Sequence, residues 1–322
     1  MIILTGGAGF IGSCILKSLN DSGFSDILIV DHVEEDDRKV QNLENKRYLE
    51  YEHKSDFIKR IREDTINQKV DCVIHMGACS STTMNDPQYY QTNNYEYTKS
   101  LAHWCMAHDV RFIYASSAAT YGDGSMGFSD EDEATLKLKP LNLYGKSKHD
   151  FDLEVLVRGW GSRFVGLKFF NVFGPNEYHK GPMRSVILTA YPKMVQEGKI
   201  RLFKSYRNDY AHGEQKRDFI YIKDAVDVVI YFFKNRNCSG IFNVGTGQAR
   251  SWNELARAMF QAVNMPVNIE YFDMPDNMRK KYQYFTQADT KKLIKAGYPK
   301  PFTSLEGAVA DYIDYLQTNR HI

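Results

Sequence analysis

A glycine-rich turn near the start of the chain constrains its fold more than any other segment. Gly6-Gly7-Ala8-Gly9-Phe10-Ile11-Gly12 follows the β-prone run Ile-Ile-Leu-Thr and leads directly into a helical pattern over 13–19. A glycine triplet alone is common. Set between a strand and a helix, with Asp31 closing the next apolar run about 20 residues on, it reads as a dinucleotide fingerprint. Gly6 permits the tight turn, Gly9 lets backbone approach a pyrophosphate, and Gly12 lets the helix pack closely. The helix N-terminus supplies oriented N–H donors and partial positive charge.

Short β-rich runs alternate with longer helical patterns along the chain, which predicts an α/β fold with a doubly wound parallel Rossmann sheet. Strands are expected over 2–5, 27–31, 72–77, 111–116 and 164–170, several of them apolar throughout as befits strands covered on both faces. At about 150 residues per domain, 322 residues suggest two bodies. The division expected is a Rossmann domain over 1–170 with a returning segment at about 218–244, and a smaller mixed substrate-binding domain over 171–217 and 245–322. Ser251 to Glu254 reads as a capping box. The aromatic and methionine stripe that follows, Trp252 included, reads as core.

Lys plus Arg is 41 against 40 Asp plus Glu, a balance of +1 that offers no field for capturing nucleic acid by bulk charge. No apolar run approaches the length a membrane span requires. The N-terminus shows no signal-peptide pattern, so a cytoplasmic enzyme is the expectation. Five scattered cysteines without a CxxC pair fit reduced thiols. Among the histidines there is no HExxH, and His103 and His108 do not share a helix face, so no metal is expected.

Two further segments carry chemistry. Ser117 lies in Ser-Ser-Ala-Ala-Thr-Tyr-Gly after the fourth expected strand, and Tyr144-Gly-Lys-Ser-Lys148 opens a later helix. Tyr144 and Lys148, four apart, share a helix face. A phenol is a poor base at neutral pH, but an adjacent ammonium and a nicotinium ring favour its phenolate. With Ser117 bonded to the reacting oxygen, these groups can take a proton from an alcohol as hydride leaves for a nicotinamide. Asp31 suits a ribose diol and so NAD, whereas Arg38, Lys39 and Lys54 could pair with the 2′-phosphate of NADP; the residues leave the choice open.

The GxxGxxG turn, the serine after the fourth strand and YxxxK together resemble the extended short-chain dehydrogenase/reductase family, over essentially the whole chain. Within it, Gly77-Ala78-Cys79-Ser80-Ser81-Thr82-Thr83, the stretch around Asn171 to Pro175, His179-Lys180-Gly181 and Phe285-Thr286-Gln287-Ala288-Asp289 resemble the branch that inverts carbon 6 of an ADP-linked heptose for lipopolysaccharide core assembly. This resemblance implies NADP as cofactor, with Lys39 on the 2′-phosphate and Lys54 a second cation. It implies cofactor contacts at Phe10, Ile11, His32, Met76, Gly77, Ala78, Cys79, Ser80, Asn93, Lys148 and Val172, and ADP-heptose contacts at Ser117, Asn171, Phe203, Arg217 and Tyr282. It also implies two bases on opposite sides of the substrate, Tyr144 and Lys180, and a homo-oligomer.

Met76, His32 and Pro182 depart from that branch's pattern, and the loop over 205–215 is longer. The rivals are a UDP-hexose 4-epimerase, which shares Ser, Tyr and Lys, and a non-catalytic dinucleotide sensor. A sugar dehydratase is disfavoured because Ala118 and Ala119 stand where elimination needs an acidic pair.

Overall fold

Seven strands align in one direction: β1 (Ile2–Thr5), β2 (Ile27–Asp31), β3 (Glu50–His53), β4 (Cys72–His75), β5 (Arg111–Ser117), β6 (Val165–Phe169) and β10 (Gly240–Val244). The computed structural model describes residues 1–34, 38–279 and 282–322. The strand order is β10-β6-β5-β4-β1-β2-β3, and every neighbouring pair is parallel. The residues of β1, β4 and β6 are all buried, which is why β1 and β4 carry three successive apolar positions and not alternate ones. Order reverses between β1 and β4, the place where ligands bind in open α/β sheets.

β3 was not expected from the sequence. Its residues Glu-Tyr-Glu-His carry no apolar alternation; parallel pairing with β2 at the sheet edge makes it a strand. Ser117 accordingly ends the fifth strand, not the fourth. The expected run 72–77 stops at His75, leaving Met76 to Ser80 as a loop over the switch point.

Two small sheets complete the fold. β7 (Asn171–Phe173), β9 (Lys216–Tyr221) and β11 (Ala249–Ser251) form the first in the order β11-β9-β7; β8 (Ile200–Phe203) pairs in parallel with β12 (Ile269–Phe272) in the second. The helix Ile222–Lys234 then returns to pack on the first helix, Phe10–Asp21, and leads into β10 at the edge of the main sheet. The Ser251–Glu254 capping box forms as read, with both reciprocal bonds present. One core cluster runs continuously from Ile2 and Leu4 to Tyr312 and Ile313.

All five cysteines are free, and burial pushes the Cys14 and Cys72 thiols up to about 12. Among the described residues no helix is long and apolar enough to cross a membrane, and no group of three or more His, Cys, Asp or Glu could hold a metal ion.

Candidate active site

The glycine turn is built by close backbone approach. Gly6 has a φ of +68°, and a Cβ there would lie 2.6 Å from the Gly77 nitrogen, so the loops after β1 and β4 touch at the switch point. A Cβ on Gly12 would fall 2.0 Å from the Gly6 carbonyl oxygen. Gly12 therefore lets the helix close onto the turn itself. Gly9, extended at φ −72°, caps that helix without a side chain, and Phe10 is buried at its first position. Bare N–H groups at a helix start, beside a cleft bordered by Thr5, Gly6 and Gly77, fit a dinucleotide pyrophosphate.

Asp31 is tied to this turn. Its carboxylate accepts from the Ala8 N–H at 2.9 Å and the His32 N–H at 2.7 Å, and the Lys39 ammonium stands 3.6 Å away. Lys39 also donates to the His32 carbonyl at 2.8 Å, and Lys54 to Asn93 at 3.1 Å. Asp31, His32, Lys39, Lys54 and Asn93 all line one cleft, so the expected adenosine-end residues converge. His53 joins them from β3: its Nε2 lies 2.9 Å from His32 Nδ1. An edge strand with no strand signature hid that partner.

The loop Met76 to Ser80 is held from beneath. Met76 packs a half-buried side chain on the core, while Gly77, Ala78 and Cys79 border the cleft. Asn94, 2% exposed within the π-helical turn Gln91–Glu96, accepts from the Cys79 N–H at 2.8 Å and donates to the Cys79 carbonyl at 3.0 Å. Sequence reasoning picked Asn93 and missed Asn94.

Ser117 and Tyr144 meet from different elements. Ser117 ends β5 and caps a short 3₁₀ turn by accepting from the Ala119 N–H at 3.1 Å; Tyr144 sits in the first turn of the helix Leu143–Val157. Burial pushes the Tyr144 phenol up, and a hydrogen bond with Ser117 opposes that push. Lys148 is buried, and its ammonium donates to the Ala115 carbonyl at 2.8 Å, not to the phenol. The expectation that this lysine draws the phenol down in the resting site is therefore not met.

Lys180 stands apart from this group, on the loop after β7, with its Nζ 5.3 Å above the Phe10 ring. Burial lowers its pKa and the Glu177 carboxylate raises it again, the first effect being larger. Val172 is half-buried and Asn171 exposed on β7, the neighbour of β9. β9 carries Arg217, only 7% exposed, whose guanidinium lies 5.1 Å from the Tyr282 ring and 5.8 Å from the Trp252 ring. Phe203 meets Tyr282 edge-on at 6.4 Å. Trp252, the first residue of the core stripe, packs on the core and also donates to the Tyr282 hydroxyl at 2.9 Å, so its polar edge faces this cluster. The loop over 205–215 reaches the same place through Arg207, 5.1 Å from the Tyr284 ring.

A cofactor cradle at the switch point, with Ser117, Tyr144 and Lys148 near neighbouring strand ends, is the arrangement of an epimerase or dehydratase working on a nucleotide-linked sugar. Residues 2–245 match the NAD dependent epimerase/dehydratase family, and the chain belongs to that family. It is 51% identical over 313 residues to the ADP-L-glycero-D-manno-heptose-6-epimerase of Nitratidesulfovibrio vulgaris, covering 97% of both chains. The enzyme of the same name from Fusobacterium nucleatum is 42% identical, with 98% of each chain covered. The crystal structure of ADP-L-glycero-D-manno-heptose-6-epimerase from Helicobacter pylori superposes with a TM-score of 0.80 at 27% identity, over 98% of this chain and 96% of that one.

Proposed function

We propose that this chain is an isomerase that converts ADP-D-glycero-D-manno-heptose to ADP-L-glycero-D-manno-heptose by inverting carbon 6, with NADP as its resident cofactor. The observation that carries this is 51% identity across 97% of both chains to an enzyme of that name, together with a Ser117–Tyr144 pair beside the glycine cradle. No UDP-hexose activity is needed to account for either.

Carbon 6 bears only hydroxyl, hydrogen and carbon substituents, so nothing acidifies its C–H bond and inversion must begin with oxidation. A dinucleotide held in the glycine cradle would supply hydride-transfer chemistry at that carbon. The chain's own residues move the protons. Tyr144, as the phenolate that a cationic nicotinamide beside it would favour, takes the hydroxyl proton of one epimer, with Ser117 holding the reacting oxygen, and Lys180 serves the other epimer from the Phe10 side. Lowered by burial, the Lys180 ammonium gives up its proton more readily than an exposed lysine. Lys148, whose ammonium donates to the Ala115 carbonyl, would hold the nicotinamide ribose.

NADP over NAD is supported by the adenosine end. Asp31 already accepts from Ala8 and His32, and the Lys39 and Lys54 ammonium groups border the same cleft, where they would face a 2′-phosphate. Gly6, Gly77, Ala78, Cys79 and Asn93 border the same cleft, and Gly9, Phe10, Ile11, Gly12, Ser80 and Val172 would complete the cofactor contacts. Arg217, Phe203, Tyr282 and Asn171 hold the ADP-heptose, between a cofactor body at 1–170 with 218–244 and a substrate body at 171–217 with 245–322. The enzyme works in the cytoplasm as a homo-oligomer, upstream of lipopolysaccharide core assembly. Incubation with ADP-D-glycero-D-manno-heptose tests the proposal: the L-glycero epimer should accumulate to equilibrium, and turnover of UDP-glucose in its place would overturn it.

A further inference from the structure

Beneath Ser117, Tyr144 and Lys148 lies a second set of charges, sealed from solvent. Asp152 and Lys168 are each 0% exposed and 2.6 Å apart. The Asp152 carboxylate also accepts from the Tyr114 hydroxyl at 3.0 Å and the Ser116 hydroxyl at 2.7 Å. Lys168 donates to the Thr120 hydroxyl at 2.9 Å and stands 5.3 Å from the Tyr121 ring. The proton transfers proposed above use none of these groups. A buried ion pair is also a poor way to stabilise a fold, because apolar residues of similar volume do as well or better.

Its anchor points surround the reaction centre. Ser116 precedes Ser117, and Thr120 lies in the turn just after it, so the pair grips the chain on both sides of the serine. Lys168 on β6 is the register partner of Ser116 on β5. Asp152 continues the helix face that carries Tyr144 and Lys148, one further turn along. A single ion pair thus ties together two strands, the turn after Ser117 and the helix that presents the phenol and the ammonium.

We propose that Asp152 and Lys168 are positioning residues for epimerisation, orienting Ser117 from both sides and setting the charge on Lys148 from below. This rests on the roles proposed for Ser117, Tyr144 and Lys148. The groups around Lys148 can be named element by element. Its own helix contributes Asp152, and β5 contributes the Ala115 carbonyl. From β4 comes His75, buried and held well below the ordinary imidazole value by burial and by the Lys148 charge. From β6 comes Lys168, behind Asp152. Burial lowers Lys148 to about 8, and Asp152 is the opposing influence that keeps its ammonium.

The test is a pair of substitutions with opposite expected signs. The titration midpoint of Lys148 is followed by side-chain ¹⁵N NMR in the full-length protein, with the resonance assigned by Lys148→Arg; no substrate is needed. Asp152→Asn should move the midpoint down by about one pH unit. Lys168→Met should move it up, because the attraction of the Asp152 carboxylate for Lys148 is then no longer shared with a second cation. Lys168→Arg should restore the wild-type value. A pair that only braced the fold would shift both single variants the same way or not at all, and either result overturns the proposal. Asp152→Leu with Lys168→Met fills the site with apolar groups and should fold even if a single variant does not. With Ser116 and Thr120 released, its kcat should fall about ten- to hundredfold at unchanged KM. Wild-type kcat in that double variant would also overturn the proposal. A wild-type protein that failed to turn over ADP-heptose would sink the functional assignment and leave the NMR comparison to decide this one.

Discussion

Asn94 and Cys79 form a reciprocal clasp: the Asn94 carbonyl oxygen takes the Cys79 N–H at 2.8 Å, and its amide reaches the Cys79 carbonyl at 3.0 Å. The same amide donates to the Ser147 hydroxyl at 3.0 Å, which in turn donates to the Tyr144 carbonyl at 2.8 Å. One buried side chain therefore joins the loop over the cofactor cleft to the turn that presents the phenol.

Asn94→Ala should cost about 1–3 kcal/mol of stability, the usual penalty for leaving buried polar groups without partners. Urea denaturation measures this. A parallel titration should show weaker NADP, since the freed loop borders the cleft; a variant with unaltered stability and affinity would exclude the bracing role.

Lys39→Ala should weaken NADP more than NAD. A charge-assisted bond to a 2′-phosphate contributes about 1.5–3 kcal/mol, so the ratio of the two dissociation constants should fall at least tenfold. Equal losses for both cofactors would remove Lys39 from that contact.

His53 should act on the cofactor through His32. Its Nδ1 accepts from the Ser55 N–H at 3.3 Å, so in the neutral ring the proton sits on Nε2, 2.9 Å from His32 Nδ1. His32 Nδ1 is then an acceptor, and its Nε2–H is the outward donor. Long-range ¹H–¹⁵N spectra should find both rings with the proton on Nε2. The opposite tautomer at either histidine would break the chain of inference. His53→Ala should release the His32 ring and weaken NADP severalfold.

Deuterium placed at carbon 6 of the substrate should remain in the product, because hydride leaves and returns within one site; wash-out into water would require proton abstraction. Tyr144→Phe and Lys180→Met should each abolish inversion with the cofactor still bound. An analogue bearing an aldehyde at carbon 6 separates the two bases, since dismutation needs only one of them. Each single variant should keep part of that reaction and the double variant almost none. Full dismutation in the double variant would refute both roles.

Lys148 should make the fold pH-dependent. Its folded value of about 8 lies below the ordinary 10.5, so between these limits the folded state binds fewer protons than the unfolded chain and stability rises with pH. Below about pH 8 the burial penalty is fully present. Lys148→Met should therefore stabilise the protein at pH 7 by about 1–3 kcal/mol, a gap that narrows toward pH 10. Denaturation at pH 7 and pH 9.5 compares the two, and a less stable Lys148→Met at pH 7 would contradict the assignment.

What local sequence shows well is what local chemistry dictates. The glycine turn, the apolar strands β1, β2 and β4, the Ser251 cap, and Tyr144 with Lys148 on one helix face all depend on neighbours within a few residues. The glycine turn and YxxxK were legible as motifs for the same reason. β3 escaped because Glu50 to His53 become a strand only through pairing with β2. Asn94, His53 and Trp252 escaped because their partners, Cys79, His32 and Tyr282, lie far away or across a turn, and no spacing rule announces them. The Lys148 bond to Ala115 was hidden likewise: spacing puts the ammonium on the Tyr144 face but does not say which acceptor captures it.

The late return of the chain to the main sheet limits how this enzyme can be divided or rebuilt. β10 covers the outer edge of β6, and the preceding helix covers Phe10–Asp21, although both follow β8 and β9 in sequence. A fragment ending near residue 173 would present β6 as a bare parallel edge and leave an apolar face of the first helix wet, an invitation to aggregate. Substrate preference in this architecture is thus a poor target for fusing one half onto another; grafting must respect at least two junctions, at either end of the returning segment at about 218–244. Recruitment of new sugars would proceed more readily by exchanging loops such as 205–215 than by shuffling whole modules.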